Sequence, residues 1–298
     1  MDKVLISRYS ELYQSQNLKV DPFLIQKMGL MQKHTFLKIK DFFLYALPTS
    51  LGFTQGQIIL AMSERERVLV EELKEKPHQL RLRFESPLIG REFGLFLKVQ
   101  IKNISTNVGK GGFVLVDLNF LTVPDDFKEI LIELFLLIER LQKEYEERRE
   151  EGIFIPNTLF KQLGIENSTH IIIPEKGRFR CLFKSLSFGR AEIYISSALE
   201  PNLPDREQGF SIEAAWQGGN FLIPAMLDED IKDTHQERVK LIRPSLKFSA
   251  ALTDIILPMT DLIKSRRQEQ NESDAQVGSG ESDGESDAAE SDASETDG

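Results

Sequence analysis

Apolar and polar positions alternate strictly through much of the chain. Leu80, Leu82 and Phe84 alternate with Arg81, Arg83 and Glu85, and Phe93, Leu95, Leu97, Val99 and Ile101 share one face of a stretch that carries Lys98, Gln100 and Lys102 on the other. Successive side chains of a strand point to opposite faces, so this period predicts half-buried antiparallel strands. Phe36 to Ala46, Gln57 to Met62 and Gly112 to Phe120 read as further strands. Ser63-Glu64-Arg65-Glu66 reads as the capped start of a short helix that stops before Pro77. Residues 1–33 have a broken helical spacing, with Val4, Leu5, Leu12 and Tyr13 followed by Phe23, Leu24, Met28 and Met31, interrupted at Asp21-Pro22. One or two short helices are expected there.

After Pro124 and Asp125 the period lengthens to that of a helix, from Asp126 to about Glu150. Phe127, Ile130, Leu131, Leu134, Phe135, Ile138, Leu141 and Tyr145 form one stripe, and Ile132, Leu136 and Leu137 make the first half apolar on nearly every side. Such a helix needs cover on both sides. Packing between two domains of the same chain provides it, and a self-association contact through residues 126–141 is the alternative. Beyond Gly152 the strand signals return at 170–174, 178–188, 190–196, 209–217, 220–227 and 237–243, punctuated by Gly, Pro and Asn turns. A final helix after Pro244-Ser245 uses Leu252, Ile255, Ile256, Met259, Leu262 and Ile263, and Pro258 is expected to kink or split it.

The order of strands, helix, strands and helix defines an α+β chain that is mainly β. Two small antiparallel barrels joined by a long helix are the simplest architecture. The boundaries fall at a helical segment 1–35, a first barrel 36–124, a linking helix 125–151, a second barrel with its helix 152–267, and a tail 268–298.

Charge separates the tail from the body. Lys and Arg number 37 against 47 Asp and Glu, and ten of the acids lie within residues 272–298, which hold no base. The remaining chain is formally neutral, so the net charge of −10 resides in repeats of Glu-Ser-Asp. That segment has too little apolar surface to offset its ordering entropy and is expected to be disordered, serving solubility or, if docked or phosphorylated, regulation. A neutral body lacks the cation surplus that duplex nucleic acid requires, although a local basic groove stays compatible with it. A single cysteine excludes an internal disulfide, and the absence of a long apolar run or signal core makes the cytoplasm the expected location.

Residues with reactive chemistry are scattered. His34, His78, His170 and His235 have no metal-pair spacing to one another or to Cys181, which falls in the alternation Phe179, Cys181, Phe183 and reads as core. Gly109-Lys110-Gly111-Gly112 reads as a hairpin turn and not a phosphate loop, and Asp228-Glu229-Asp230 reads as a solvated loop. Neither a catalytic elbow nor a cofactor motif is present, so a non-enzymatic chain without a cofactor is expected.

One segment carries a sharper signal. Arg178-Phe179-Arg180-Cys181-Leu182-Phe183-Lys184-Ser185-Leu186-Ser187-Phe188-Gly189-Arg190-Ala191-Glu192-Ile193 is a strand entering a tight turn and a second strand. It resembles the central hairpin of the PilZ family, six-stranded barrels that act as receptors for the bacterial messenger cyclic di-GMP. The resemblance covers about 152–265, and the first unit is similar to the PilZ-like N-terminal domain that precedes such barrels in tandem proteins. The family motif pairs an Arg-x-x-x-Arg segment before the barrel with an Asp/Asn-x-Ser-x-x-Gly turn.

On this sequence Ser187 matches the turn motif, Ser185 replaces its acidic or amide residue, and Arg190 takes the Gly position beside Gly189. The arginine segment corresponds to Arg148-Arg149, adjacent in place of four apart. Adjacent helical residues project about 100° from one another and cannot form one guanidinium fork. A fainter echo, Asn103-x-Ser105 with Gly109, lies in the first unit behind Arg81 and Arg83 and reads as an ordinary turn. The resemblance implies a bacterial signalling protein acting through protein contacts, with motility among its outputs. It further implies a cyclic di-GMP site made of Arg148, Arg149, Ser185, Ser187 and Arg190. The alternative is a ligand-independent adaptor that recruits protein partners through helix 126–141 or the tail.

Overall fold

The computed structural model describes residues 1–86, 91–105, 112–206, 208–217, 219–227, 229–236 and 238–278. The first unit opens with α1 (Lys3–Leu12), β1 (Asn17–Lys19) and α2 (Pro22–Met28). There follow β2 (Phe36–Ile39), β3 (Phe42–Gly52), β4 (Gln55–Ala61), α3 (Glu64–Leu73), β5 (Pro77–Ser86), β6 (Arg91–Ser105) and β7 (Phe113–Thr122). The strands run antiparallel in the order β3-β2-β5-β6-β7-β4, and β4 pairs back onto β3, which closes a six-stranded barrel with β1 added at the edge of β3. The alternation read from sequence sets the inside: Leu37, Ile39, Leu80, Leu82, Phe84, Leu97 and Val99 are all buried. The N-terminal segment is therefore not purely helical, since it contributes a strand.

The single strand expected over 36–46 is a hairpin. Lys40 adopts φ of 50° at the two-residue turn between Ile39 and Phe42, a left-handed conformation with no Gly or Asn to announce it. The capping box at the start of α3 forms as expected, with Ser63 and Glu66 satisfying each other's backbone N–H groups.

Helix α4 (Asp125–Arg148) bridges the two units. Phe127 meets Phe84 and Phe120 of the first barrel, and Phe135 stacks on Tyr13 at 4.6 Å. Farther along, Tyr145 lies against Phe248 of the second unit. Its apolar stripe is buried by elements of its own chain, with Leu136, Leu137 and Ile138 packed at the margin.

The second unit comprises β8 (Ile155–Pro156), β9 (Ile165–Ile173), β10 (Gly177–Leu186), β11 (Ala191–Ser196), β12 (Gly209–Trp216) and β13 (Gly219–Met226). The short strands β14 (Lys232–Asp233), β15 (Val239–Ile242) and β16 (Ser245–Leu246) lead into α5 (Ala250–Gly278). Strand order is β14-β15-β11-β10-β9-β12-β13-β16. This sheet curls without a full closing ladder; an isolated bridge between Arg190 and Ser245 joins β16 to the start of β11. Both units are mainly β with flanking helices, as the sequence pattern predicts. They meet directly as well: the Gln26 side chain donates to Gln217 at 2.7 Å, and Lys27 pairs with Asp254 at 2.7 Å.

The C-terminal helix is longer than expected, and Pro258 does not split it. Helix α5 runs through Pro258 as one element, and it continues to Gly278, so residues 268–278 are helical where a tail was expected. Residues 279–298 lie outside the described residues, as do 106–111, which include most of the Gly-rich turn, and Asp228 of the acidic run. No helix among the described residues is long and apolar enough to cross a membrane.

His78 on β5 is buried, with Nε2 donating to the Leu73 carbonyl at 3.0 Å. Burial holds its pKa below the ordinary 6.5, opposed in part by that hydrogen bond. The unfolded chain therefore takes up a proton near pH 6.5 that the folded chain refuses. Stability present above that pH falls as pH drops toward the depressed value. Urea midpoints at pH 7.5 and 5.5 are expected to separate less in His78→Gln than in the wild type; equal separations would show that His78 carries none of the dependence.

Candidate functional site

The site grows from the turn between β10 and β11. A bulge after Phe183 shifts the register so that Ser185 faces Glu192. The turn itself is locked by Ser187: its N–H donates to the Arg190 carbonyl at 2.8 Å, and its Oγ both donates to that carbonyl and accepts from the Arg190 N–H, each at 3.0 Å. Both Ser185 and Ser187 are buried.

Gly189, at the tip, is where the linking helix touches the barrel. A Cβ built there would lie 2.5 Å from the Arg149 carbonyl oxygen and 3.1 Å from the Arg149 Cβ. The Gly189 carbonyl accepts from the Leu246 N–H at 2.8 Å, and the Leu246 carbonyl accepts from the Tyr145 hydroxyl at 2.7 Å. The end of α4, the β10–β11 turn and β16 thus form a closed circuit of contacts.

Charged groups surround that circuit. The Glu192 carboxylate accepts from Ser185 Oγ at 2.9 Å and pairs with Lys184 at 3.0 Å and Arg243 at 2.7 Å. Burial alone would raise its pKa, but the hydrogen bonds from Lys184, Ser185 and Arg243 prevail and hold it below the ordinary carboxylate range. Arg190 pairs with Glu229 at 2.9 Å. Arg149 has only long pairs, to Glu146 at 3.4 Å and Glu150 at 3.7 Å. The Arg149 and Arg190 side chains are 46% and 52% exposed, so both guanidinium groups can exchange their partners with solvent-borne anions. Arg148 cannot do so as easily, because it binds Glu144 at 2.8 Å and Asp261 of α5.

The tertiary structure therefore brings the Arg149 backbone, Ser185, Ser187 and Arg190 together and turns Arg148 toward α5. The angular separation of adjacent helical residues accounts for the split. Lys184, Glu192, Glu229 and Arg243 complete the cluster without having been singled out as site residues, and Glu229, read from the sequence as part of a solvated loop, instead pairs with Arg190. Glu192 sits on the outward phase of β11, whereas Arg243 arrives only through the pairing of β11 with β15. In the first unit, Asn103 donates to Ser105 and to Asp117 at 3.3 Å, while Arg83 pairs with Glu92 and Arg81 lies over Phe96. Nothing there gathers like the second turn, and residues 106–109 of that echo lie outside the described residues.

Residues 4–137, the first unit with the opening half of α4, match the family model of the PilZN3 domain. Among solved structures the chain is similar to PlzA of Borreliella burgdorferi in complex with c-di-GMP, at 15% identity and TM-score 0.42, covering 85% of this chain and 97% of that one. It is also similar to YcgR of Escherichia coli in complex with c-di-GMP, at 12% identity and TM-score 0.25 over 89% and 98% of the two chains. The Bacillus subtilis inhibitor of motility MotI/DgrA aligns at 9% identity and TM-score 0.28 over 80% and 97%. No curated protein sequence matches the chain.

Two outcomes follow from this geometry. Gly189→Ala forces a methyl against a backbone carbonyl, and overpacking of this kind costs about 1–3 kcal/mol; urea denaturation is expected to show that loss, and an unchanged midpoint would mean that the α4 contact yields freely. Cys181 is buried on β10, and its thiol is pushed up to about 12 by burial. A thiol reagent should leave it unmodified in the native chain and label it once urea unfolds the barrel.

Proposed function

We propose that the chain is a cyclic di-GMP signalling protein that acts through protein contacts, with its nucleotide held where α4 meets the β10–β11 turn. The observation that carries this reading is the approach of Arg149 to Gly189, which sets a cationic helix end on the turn that resembles the family's ligand motif. Arg149 and Arg190 supply planar, exposed guanidinium groups for phosphate, and both give up solvent-screened carboxylate pairs to do so. Ser185 and Ser187 contact the base once they exchange their present hydrogen bonds to Glu192 and the Arg190 backbone. Arg148 acts on a different task, holding α5 to α4 through Asp261, so nucleotide drawn to Arg149 one residue later pulls on the same helix end. The output is a change in the α4–α5 surface read by a protein partner, on motility or another cellular machine.

A specific observation supports a second reading, the ligand-independent adaptor. Every side chain of the site already has an internal partner, so the cluster is complete as an electrostatic clasp without nucleotide.

Isothermal titration of the full chain with cyclic di-GMP separates the two. Saturable heat is expected. Arg149→Ala and Arg190→Ala should each weaken binding about tenfold, a cost of about 1.4 kcal/mol that fits a charge-assisted hydrogen bond. Arg148→Ala should lower the unfolding midpoint more than the affinity. Absence of heat at high micromolar nucleotide removes the receptor reading and leaves the adaptor.

A further inference from the structure

The outer face of the first barrel carries a second surface with its own chemistry. Register places Phe43, Lys38, Gln79 and Lys98 side by side across β3, β2, β5 and β6. The row two residues away along the same face is Tyr45, Phe36, Arg81 and Phe96. Phe43 and Phe96 are 57% and 58% exposed, an unusual display for large aromatic rings on a closed barrel.

Cations are interleaved with the rings. Lys38 lies 5.6 Å over Phe43, and Arg81 lies 5.8 Å over Phe96. Phe36 packs edge-on to both Phe43 and Tyr45, which holds the rings upright and in place. Beside them is an open hollow of about 530 Å³ lined by Lys38, Lys40, His78, Gln79, Phe96 and Lys98. Among the described residues, none of Lys38, Lys40, Arg81 and Lys98 has a carboxylate within ion-pair distance, although Asp41 shares the turn with Lys40.

We propose that this face binds single-stranded nucleic acid. Stacking rings set among unpaired cations match unstacked bases linked by phosphates, because each base has a π face and each phosphate a charge. A duplex hides its base faces and would leave the rings idle. An acidic peptide would use the cations and leave the aromatic surface in water. The platform spans four strands, about 14 Å across at ~4.8 Å per strand, with rows ~7 Å apart along them, which is more than one mononucleotide covers. This surface lies on the first barrel and is independent of the turn at Gly189.

Fluorescence anisotropy of the full chain with labelled oligo(dT) and oligo(U) of about 12 nucleotides, within the ~4–16 nucleotide span of single-strand sites, tests the proposal. Saturable binding is expected, at least tenfold tighter than to a duplex of equal length. The logarithm of affinity should fall against that of salt with a slope of about −3 for four phosphates at ~0.7 each. Phe43→Ala with Phe96→Ala should weaken binding at least tenfold at nearly constant salt slope, whereas Lys38→Gln with Lys98→Gln should reduce the slope by about 1.4. Circular dichroism checks folding, and Phe43→Leu with Phe96→Leu repeats the test with bulk retained. Oligo(dT) or oligo(U) binding alone would each support the surface and tell which sugar it takes. No response up to about 100 µM, the weak end of non-specific affinity, overturns the proposal. So does undiminished binding in the aromatic variants, or equal binding of a polyglutamate peptide.

Discussion

The missing side chain at Gly189 is the constraint on which the arrangement of the second unit rests. It lets the carbonyl of Arg149 come so near that even a methyl group would collide, and it leaves the Gly189 carbonyl free to take the N–H of Leu246. Tyr145 then closes the circuit from the helix to Leu246. Three elements far apart in sequence are pinned at one point by the Leu246–Gly189 backbone hydrogen bond, the close backbone approach of Arg149 and the Tyr145 hydroxyl, groups that need fewer torsions ordered than long flexible side chains do.

Once the turn is held, its charges sort themselves by burial. Glu192 receives three donors and stays ionised, so Lys184 and Arg243 are neutralised where they sit. Arg149 and Arg190, farther out, have weaker claims on them. Two half-exposed guanidinium groups thus lie at the rim of a cluster whose buried members already have partners.

The two barrels divide their surfaces differently. In the second, polar chemistry concentrates at one turn. In the first, the closed sheet spreads aromatic and basic side chains over four strands, and its helical attachments leave that face open. Helix α4 links the two, with phenylalanines seated in the first core and Tyr145 in the second, so its apolar surface is consumed within the chain.

Much of this was legible in one dimension because it rests on local rules. Period-two alternation named the inward residues of β5 and β6, the period of 126–145 named the linking helix, and Ser63 with Glu66 announced a cap that forms as read. The Ser187 turn was legible too, since its hydroxyl acts on the backbone of Arg190 only three residues on. The β2–β3 hairpin was not, because Lys40 takes a positive φ that its side chain does not favour and that strand pairing on both sides imposes. The passage of α5 through Pro258 likewise needed packing partners to override a local breaker. Which arginine meets the turn, how Arg243 reaches Glu192, and how four aromatics and three cations line up across separate strands depend on helix phase and sheet register. Those are set by contacts between residues tens of positions apart, so the sequence by itself determined the elements and their buried faces, and only the tertiary structure decided which side chains meet.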